Sequence, residues 1–341
     1  MSSATDSSDG AGRDSEPVQP AKRRKRTHTN ASDPSTREIG IMRDGTGQRS
    51  AKFVGSASGI HFIRRVYDSF ARRPTGTKQG HQSLEGNFVP GEDDQLHDST
   101  GSRGEWDNLW SETEVAITLS EIPSFESTIE WTRNYFENWH PLLPFLHAPT
   151  ILRVMEQVRN EGLERTSRTN SIILRSIVSI SLADSRQVVA SNHTLNPPPV
   201  SLVFRTTTEA LSILQPLLCD ATSLSLLQAA VSVQLFLVSM LKDNAAYRLG
   251  GLIARMAFHL GLHRCPMRFP CFGAEEAQIR QRLFWSLYIL DRHLSQSLGL
   301  PLGIRDDDID VCYPNDEKHV NPNMSAGFGD IEHICQHPRP S

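Results

Sequence analysis

Six apolar residues at three-to-four spacing run through residues 274–298: Ile279, Leu283, Leu287, Leu290, Leu294 and Leu298. On a helix they form one continuous stripe, which has to be covered by other helices of the same chain or by a second chain. Glu275 and Glu276 suit the positive end of the helix dipole, and Gly299 followed by Pro301 ends the run. A helix this long needs helical neighbours, and strand alternation is nowhere comparable. The expected fold class is all-α, a multi-helix domain with a disordered N-terminal tail.

Hydrophobic density says where that body lies. Only 31 of the first 120 residues are apolar, against 44 of the 80 from Ala221 to Leu300. Ordering a residue costs roughly 1–2 kcal/mol of backbone entropy, which needs apolar burial to offset it. The sequence therefore divides into a disordered tail (1–50), a short docking segment (51–72), a polar linker (73–120), a helical body (121–315) and a disordered C-terminal tail (316–341).

Helix signals fill the body. Ser127 with Glu130 reads as a capping box opening a helix through Trp131, Tyr135, Phe136 and Trp139 that stops before Pro141. Pro149 opens a second through Ile151, Val154, Met155 and Val158, closed by Gly162. Amphipathic runs follow at Ser171–Ala183, Leu202–Leu218 and Leu224–Leu241. Ala245–Leu260 places Leu249, Leu252, Ile253, Met256 and Leu260 on one face, with Gly261 as its cap.

Residues 224–241 could be mistaken for a membrane span, but Gln228, Gln234, Ser225, Ser232 and Ser239 recur through them. Buried amides are costly in hydrocarbon, so the segment reads as a core helix and no membrane partner is expected. The five cysteines include no C-x-x-C pair, so neither a disulfide framework nor a zinc ribbon is supported. The first residues contain no apolar secretory signal, and a reducing intracellular compartment fits.

The net charge of -4 excludes a wholly basic nucleic-acid coat, so any strong field must be local. One is: Lys22, Arg23, Arg24, Lys25 and Arg26 are consecutive, as in a nuclear-import signal or a phosphate-contacting arm. Downstream, Phe62, Val66 and Phe70 share an i, i+4, i+8 stripe after the Gly55–Gly59 turn, and this segment is expected to dock on the body. Its glycines do not have phosphate-loop spacing.

Candidate chemistry is sparse. His259 and His263 are four apart, but Gly261 ends the helix between them, so they read as packing residues rather than metal ligands. The Asp306, Asp307, Asp308, Asp310 cluster lacks the central glycine of a calcium loop. Arg280, Arg282 and Arg292 are expected to pair with this acidic loop, each exposed pair contributing about 0–1 kcal/mol. Phe284, Trp285 and Tyr288 at helical spacing read as core. With no Ser-His-Asp, Cys-His or paired-Glu constellation, no enzyme is expected and no catalytic or metal residue is assigned.

These residues also carry a family resemblance. The stretch 245–264, ending Gly261, Leu262, His263, Arg264, and the stretch 275–314 resemble the middle homology domain of fungal binuclear-zinc-cluster transcription factors. The matching positions are Arg280, Arg282, Phe284, Trp285, Tyr288, Asp291, Arg292, Gly299, Pro301, Asp308, Ile309, Asp310 and Pro314. Upstream, His140, Pro141, Pro144 and His147 resemble that domain's opening, and residues 53–63 a segment that precedes it in the xylanolytic-activator-like branch.

The resemblance implies a nuclear regulator of RNA polymerase II transcription, with DNA and zinc as family partners, dimerisation with itself or related factors, and a small-molecule effector. DNA reading in such factors resembles a six-cysteine, two-zinc module. Here the first cysteine is Cys219, so that module cannot be built and no cofactor is expected in this chain. The basic tract runs directly into polar sequence, as if a cluster had been omitted by a gene-model or splicing change. The alternative expectation is a helical ligand-sensing or dimerisation protein that modulates full-length relatives without contacting DNA, its long apolar helix supplying the dimer surface.

Overall fold

A helix buried on every side must have neighbours all round it, and this chain has two. In the computed structural model, which describes residues 40–43, 52–71, 108–116, 123–186 and 196–313, both lie at the centre of the body. Helix α4 (Arg168–Ser185) buries every residue from Ile172 to Ala183, and α6 (Leu224–Ser239) buries eleven of its sixteen, from Leu226 to Leu237. They pack on each other. All described residues belong to one unit, Ile39–Ser341.

The remaining long helices follow this pair. Helix α2 (Phe125–Asn134) lies on α4, and α7 (Asp243–His259) on α6, with α8 (Ala274–Leu298) against α7. The stripe of α8 is buried within the same chain through Leu283, Leu287, Leu290 and Leu294. It is therefore core and not a dimer surface. Helix α3 (Ala148–Glu161) has Pro149 in its first turn and ends at Gly162, whose φ of 84° a side chain would oppose. No helix among the described residues is long and apolar enough to cross a membrane.

The amides and hydroxyls of α6 explain how its polar residues are tolerated. Gln228 donates to the Phe145 carbonyl (2.8 Å), Ser232 Oγ to the Gln228 carbonyl (2.8 Å) and Gln234 to the Ala246 carbonyl of α7 (3.2 Å). A Cβ at Gly250 would come within 2.5 Å of Gln234 Nε2, so the glycine is what lets α7 approach the amide. The buried face of α7 includes the small residues Ala246, Ala254 and Ala257 beside Leu249, Ile253 and Met256. Close approach of α6 turns the face toward those alanines, and Leu252, expected inside, is exposed.

Four other expectations are modified. The N-cap of α2 is Ser124, which accepts from the Ser127 backbone N–H, so the helix begins one turn ahead of the Ser127–Glu130 box. Its end widens into a single π-turn over Tyr135–Trp139 before Pro141. Residues 202–218 do not form one helix: α5 is only Thr207–Ser212, flanked by 3₁₀ turns at Val200–Leu202 and Gln215–Cys219, the latter containing Pro216, which has no N–H to continue a helix. The chain also contains a small antiparallel hairpin, β1 (Gly40–Arg43) with β2 (Lys52–Gly55), whose first strand falls within the stretch read as a tail.

Residues 108–116, read as polar linker, add a fourth difference by packing into the body. Trp110 is buried and donates to the Phe204 carbonyl (2.7 Å), while Ala116 bridges Pro199 in parallel. Arg186 grips Glu114 with Nε and Nη2 (2.5 and 2.7 Å), and this hydrogen bonding holds the Glu114 carboxyl down at about 2 against partial burial. Leu109, Trp110, Val115 and Ala116 follow neither helical nor strand spacing, so they give too weak a periodic signal to mark a packed segment.

The docking segment reaches the body by a different route from the expected stripe. Helix α1 (Gly59–Ala71) leaves Phe62 69% exposed, whereas Val54, Ser58 and His61 are buried. The closest approach is backbone to backbone. A Cβ on Gly55 would lie 1.8 Å from the Gly299 carbonyl oxygen, and one on Gly299, where φ is 65°, 2.8 Å from Gly55 Cα. Gly55→Ala should therefore release residues 52–66 without unfolding the helices. Hydrogen exchange across that segment should accelerate at least tenfold while the urea midpoint moves little, and unchanged exchange would show that the contact is not what holds the hairpin.

Candidate functional site

Helix α8 carries Trp285, Tyr288, Asp291, Arg292 and Ser295 along one side because three- and four-residue steps stack on a helix. Gly299, left-handed as only glycine easily is, turns the chain so that residues 300–313 run back along that side as a strap. The side chains of α8 hold the strap residue by residue.

Asp291 is the centre of this clamp. Its carboxylate accepts from the backbone N–H of Gly303 (3.0 Å to Oδ1) and Ile304 (3.2 Å to Oδ2), and from Arg292 Nη1 (2.9 Å). A Cβ at Gly303 would stand 2.7 Å from Asp291 Oδ1, so only glycine leaves room for the carboxylate. Arg292 donates also to the Ile304 carbonyl (2.8 Å) and pairs with Asp306, its guanidinium lying 4.1 Å over the Tyr288 ring. The Tyr288 hydroxyl donates to Asp306 (2.9 Å), and burial followed by that bond raises its pKa.

At the near end, Tyr247 and Ser295 both donate to the Pro301 carbonyl (2.8 and 3.3 Å). At the far end, Trp285 Nε1 donates to the Cys312 carbonyl (2.8 Å), and its indole stacks on Tyr313 at 4.4 Å. Asp310 then joins the strap to the turn after α7. Its Oδ1 accepts from Cys265 N (2.8 Å), its Oδ2 meets Arg268 (2.9 Å) and, less closely, Arg264 (3.8 Å), and its own N–H donates to the His263 carbonyl (3.1 Å).

That turn is built by Gly261, at φ 69°, with Leu262 N–H donating back to Ala257 and the Leu262 side chain buried. His263 sets its ring edge-on to Phe258 at 5.3 Å. Burial first, then Arg264, lowers its pKa, while Asp310 and Asp308 oppose that shift. Arg280 does not reach the acidic loop. It pairs with Glu276 (2.9 Å) and donates to the Leu260 carbonyl (3.2 Å), fixing the end of α7 to α8.

The family-like residues thus converge, with particular exceptions. Phe284 is fully buried core and Arg282 makes no ion pair among the described residues. It instead lies close enough to His140 to depress that imidazole's pKa, after burial, which is the larger cause. His140 packs against Tyr135 and Phe136, and His147 bonds Thr150 (3.0 Å), so with Pro141 and Pro144 they shape the bend between α2 and α3. Asp308 is exposed, and Asp306 makes the contacts instead. Gly303, Tyr247, Cys265 and Tyr313 also belong to the clamp; position in the chain alone did not single them out. Lys22–Arg26 and Pro314 lie outside the described residues.

The clamp's charges are matched to each other rather than aimed at an open cavity, which suits holding the strap against α8. Among the described residues no group of three or more His, Cys, Asp or Glu could hold a metal. Zinc, which the resemblance implies, does not fit the described cysteines: Cys219 and Cys271 are exposed, and Cys265 and Cys312 are buried as a pair. Two clefts could admit a small molecule. One of about 310 Å³ is floored by Leu146, Ile151 and Ile173 and rimmed by Glu275 and Glu276. The other, about 290 Å³, includes Trp139, Asp184, Asp243 and His293, and the buried Trp139 Nε1 has no acceptor among the described residues.

The fungal specific transcription factor domain model matches residues 132–339, taking in the whole clamp and continuing past the last motif at Pro314. The chain is 34% identical over 271 residues to the probable transcription factor FUP6 of Fusarium proliferatum, an alignment covering 77% of this chain and 39% of that protein. It is 29% identical over 211 residues to the transcriptional activator protein acu-15 of Neurospora crassa (61% and 21%), and 21% identical over 269 residues to the activator of stress genes 1 of Saccharomyces cerevisiae (76% and 27%). The chain therefore spans well under half the length of these relatives. No solved structure matches it.

Two carboxylates of the same region should behave differently when neutralised. Asp291→Ala leaves two backbone N–H groups and Arg292 without their acceptor and should cost about 2–4 kcal/mol. Asp308→Ala, on an exposed side chain, should stay within about 0.5 kcal/mol. Urea unfolding of both variants measures the contrast, and equal costs would remove Asp291 from the centre of the clamp.

Proposed function

The chain belongs to the fungal specific transcription factor domain family, and on that premise we propose that it is the regulatory part of a nuclear regulator of RNA polymerase II transcription. The observation that supports this most is the coincidence of the family match with the interlocked set Arg280, Trp285, Tyr288, Asp291, Arg292 and Asp310. Several of the residues that make the sequence family-like, Trp285, Tyr288, Asp291, Arg292 and Asp310, also position the strap. The reading assigns the chain no catalytic step.

Sequence-specific DNA contact is proposed to come from outside these residues, since five cysteines cannot build a six-cysteine module. A longer product or a related factor joined as a heterodimer would supply it. A small effector is proposed for one of the two clefts, with the unsatisfied Trp139 Nε1 favouring a ligand that presents an oxygen acceptor. Tethering the full chain to a heterologous DNA-binding module upstream of a reporter gene tests regulation directly. Transcription should change several-fold, up or down, relative to the module alone; transcription equal to that of the module would refute the assignment.

The basic tract supplies a separate test. Five charges contacting phosphates give sequence-independent DNA affinity with a log–log salt slope of roughly -4 to -5. Replacing Lys22, Arg23, Arg24, Lys25 and Arg26 with alanine should bring that slope close to zero and move a fluorescent fusion from nucleus to cytoplasm. Retained nuclear accumulation, or nanomolar sequence-specific binding by the purified chain, would contradict this part of the reading.

A further inference from the structure

We propose that Cys265 and Cys312 form a peroxide-oxidisable dithiol, a modification site that covalently staples the strap to the turn after α7. The two sulfurs are 3.3 Å apart, both side chains are buried, and 47 positions separate them in sequence. Cysteines so distant in the chain meet only because the clamp brings them together. Asp310 ties the Cys265 backbone to the strap, and Trp285 holds the carbonyl of Cys312. The backbone of each cysteine is thus held by a different non-covalent bond, and the sulfurs need approach by only a little over 1 Å to reach bonding distance.

The chemistry balances with a peroxide as oxidant. One cysteine, as its thiolate, attacks a peroxide oxygen; the O–O bond breaks, a sulfenic acid forms and one water leaves. The second thiol attacks that sulfur, the S–S bond forms and the sulfenic oxygen departs as the second water. In sum two thiols and one hydrogen peroxide give one disulfide and two waters, and a thiol reductant reverses the result. The exposed cysteines Cys219 and Cys271 have no such partner beside them among the described residues. They follow the ladder of single-thiol oxidation.

The link would close a covalent ring containing all of α8, so in the oxidised protein the strap could no longer leave that helix. This does not rest on the transcriptional reading, since it depends only on the two thiols and the contacts that hold them. Its test uses the full chain, treated with hydrogen peroxide, alkylated and digested with trypsin. The peptide Cys265–Arg268 should appear joined to Asp306–Lys318, and dithiothreitol should separate them. The oxidised chain should melt about 5–15 °C above the reduced one, as expected for a loop of this length. The triple variant C219S/C271S/C335S should keep both effects, and Cys312→Ser should lose them. Because Cys312→Ser could also fail by misfolding, the unsubstituted chain decides. If the two peptides stay separate after the exposed thiols are fully oxidised, or if Cys265 joins Cys219 or Cys271 instead, the proposal is wrong.

Discussion

Everything in this fold is arranged around two helices that have no face for water. Helices α4 and α6 each bury a continuous run of residues; α2 and α3 lie on α4, α7 lies on α6, and α8 lies on α7. Several polar groups within that centre are committed to partners on neighbouring elements, while Gln234 Oε1 and Arg175 Nε find none among the described residues. The Gln234 amide reaches α7, the Gln228 amide reaches the bend at Phe145, and Arg175 reaches the Val203 carbonyl and Glu209 across α5. Each such bond stabilises modestly when made, and breaking it leaves a buried polar group unsatisfied at greater cost, which limits how the outer helices can be placed.

How much of this was legible in the sequence depended on how local the physics was. Helix α8 was legible to the residue, since its stripe, its acidic first turn and Gly299 all act within a few positions. Helices α3 and α6 were nearly so. Where a distant partner decides, sequence reading failed: Leu252 is outside because α6 prefers the alanines of α7, and Trp110 is inside because of a carbonyl 94 positions away. The hairpin at Gly40–Gly55 was missed because two four-residue strands carry too short an alternation to register.

The site shows the same division. The motif residues Trp285, Tyr288, Asp291 and Arg292 share a side of α8 by helical geometry alone, so their grouping could be foreseen. Their roles could not. Which aspartate of the acidic loop meets Arg292, why Gly303 must lack a side chain and that Arg280 turns toward Leu260 all depend on how the strap returns, which no spacing rule specifies. Of the residues that carry the resemblance, Trp285, Tyr288, Asp291, Arg292 and Asp310 make clamp contacts, whereas Asp308 makes none among the described residues.

The meeting of Gly55 with Gly299 has a mechanical meaning. Most contacts between distant segments pass through side chains, which can swing between rotamers and absorb a displacement. Here two bare backbones touch, and nothing between them can yield. The point where the strap leaves α8 and the point where the hairpin turns into α1 consequently behave as one joint.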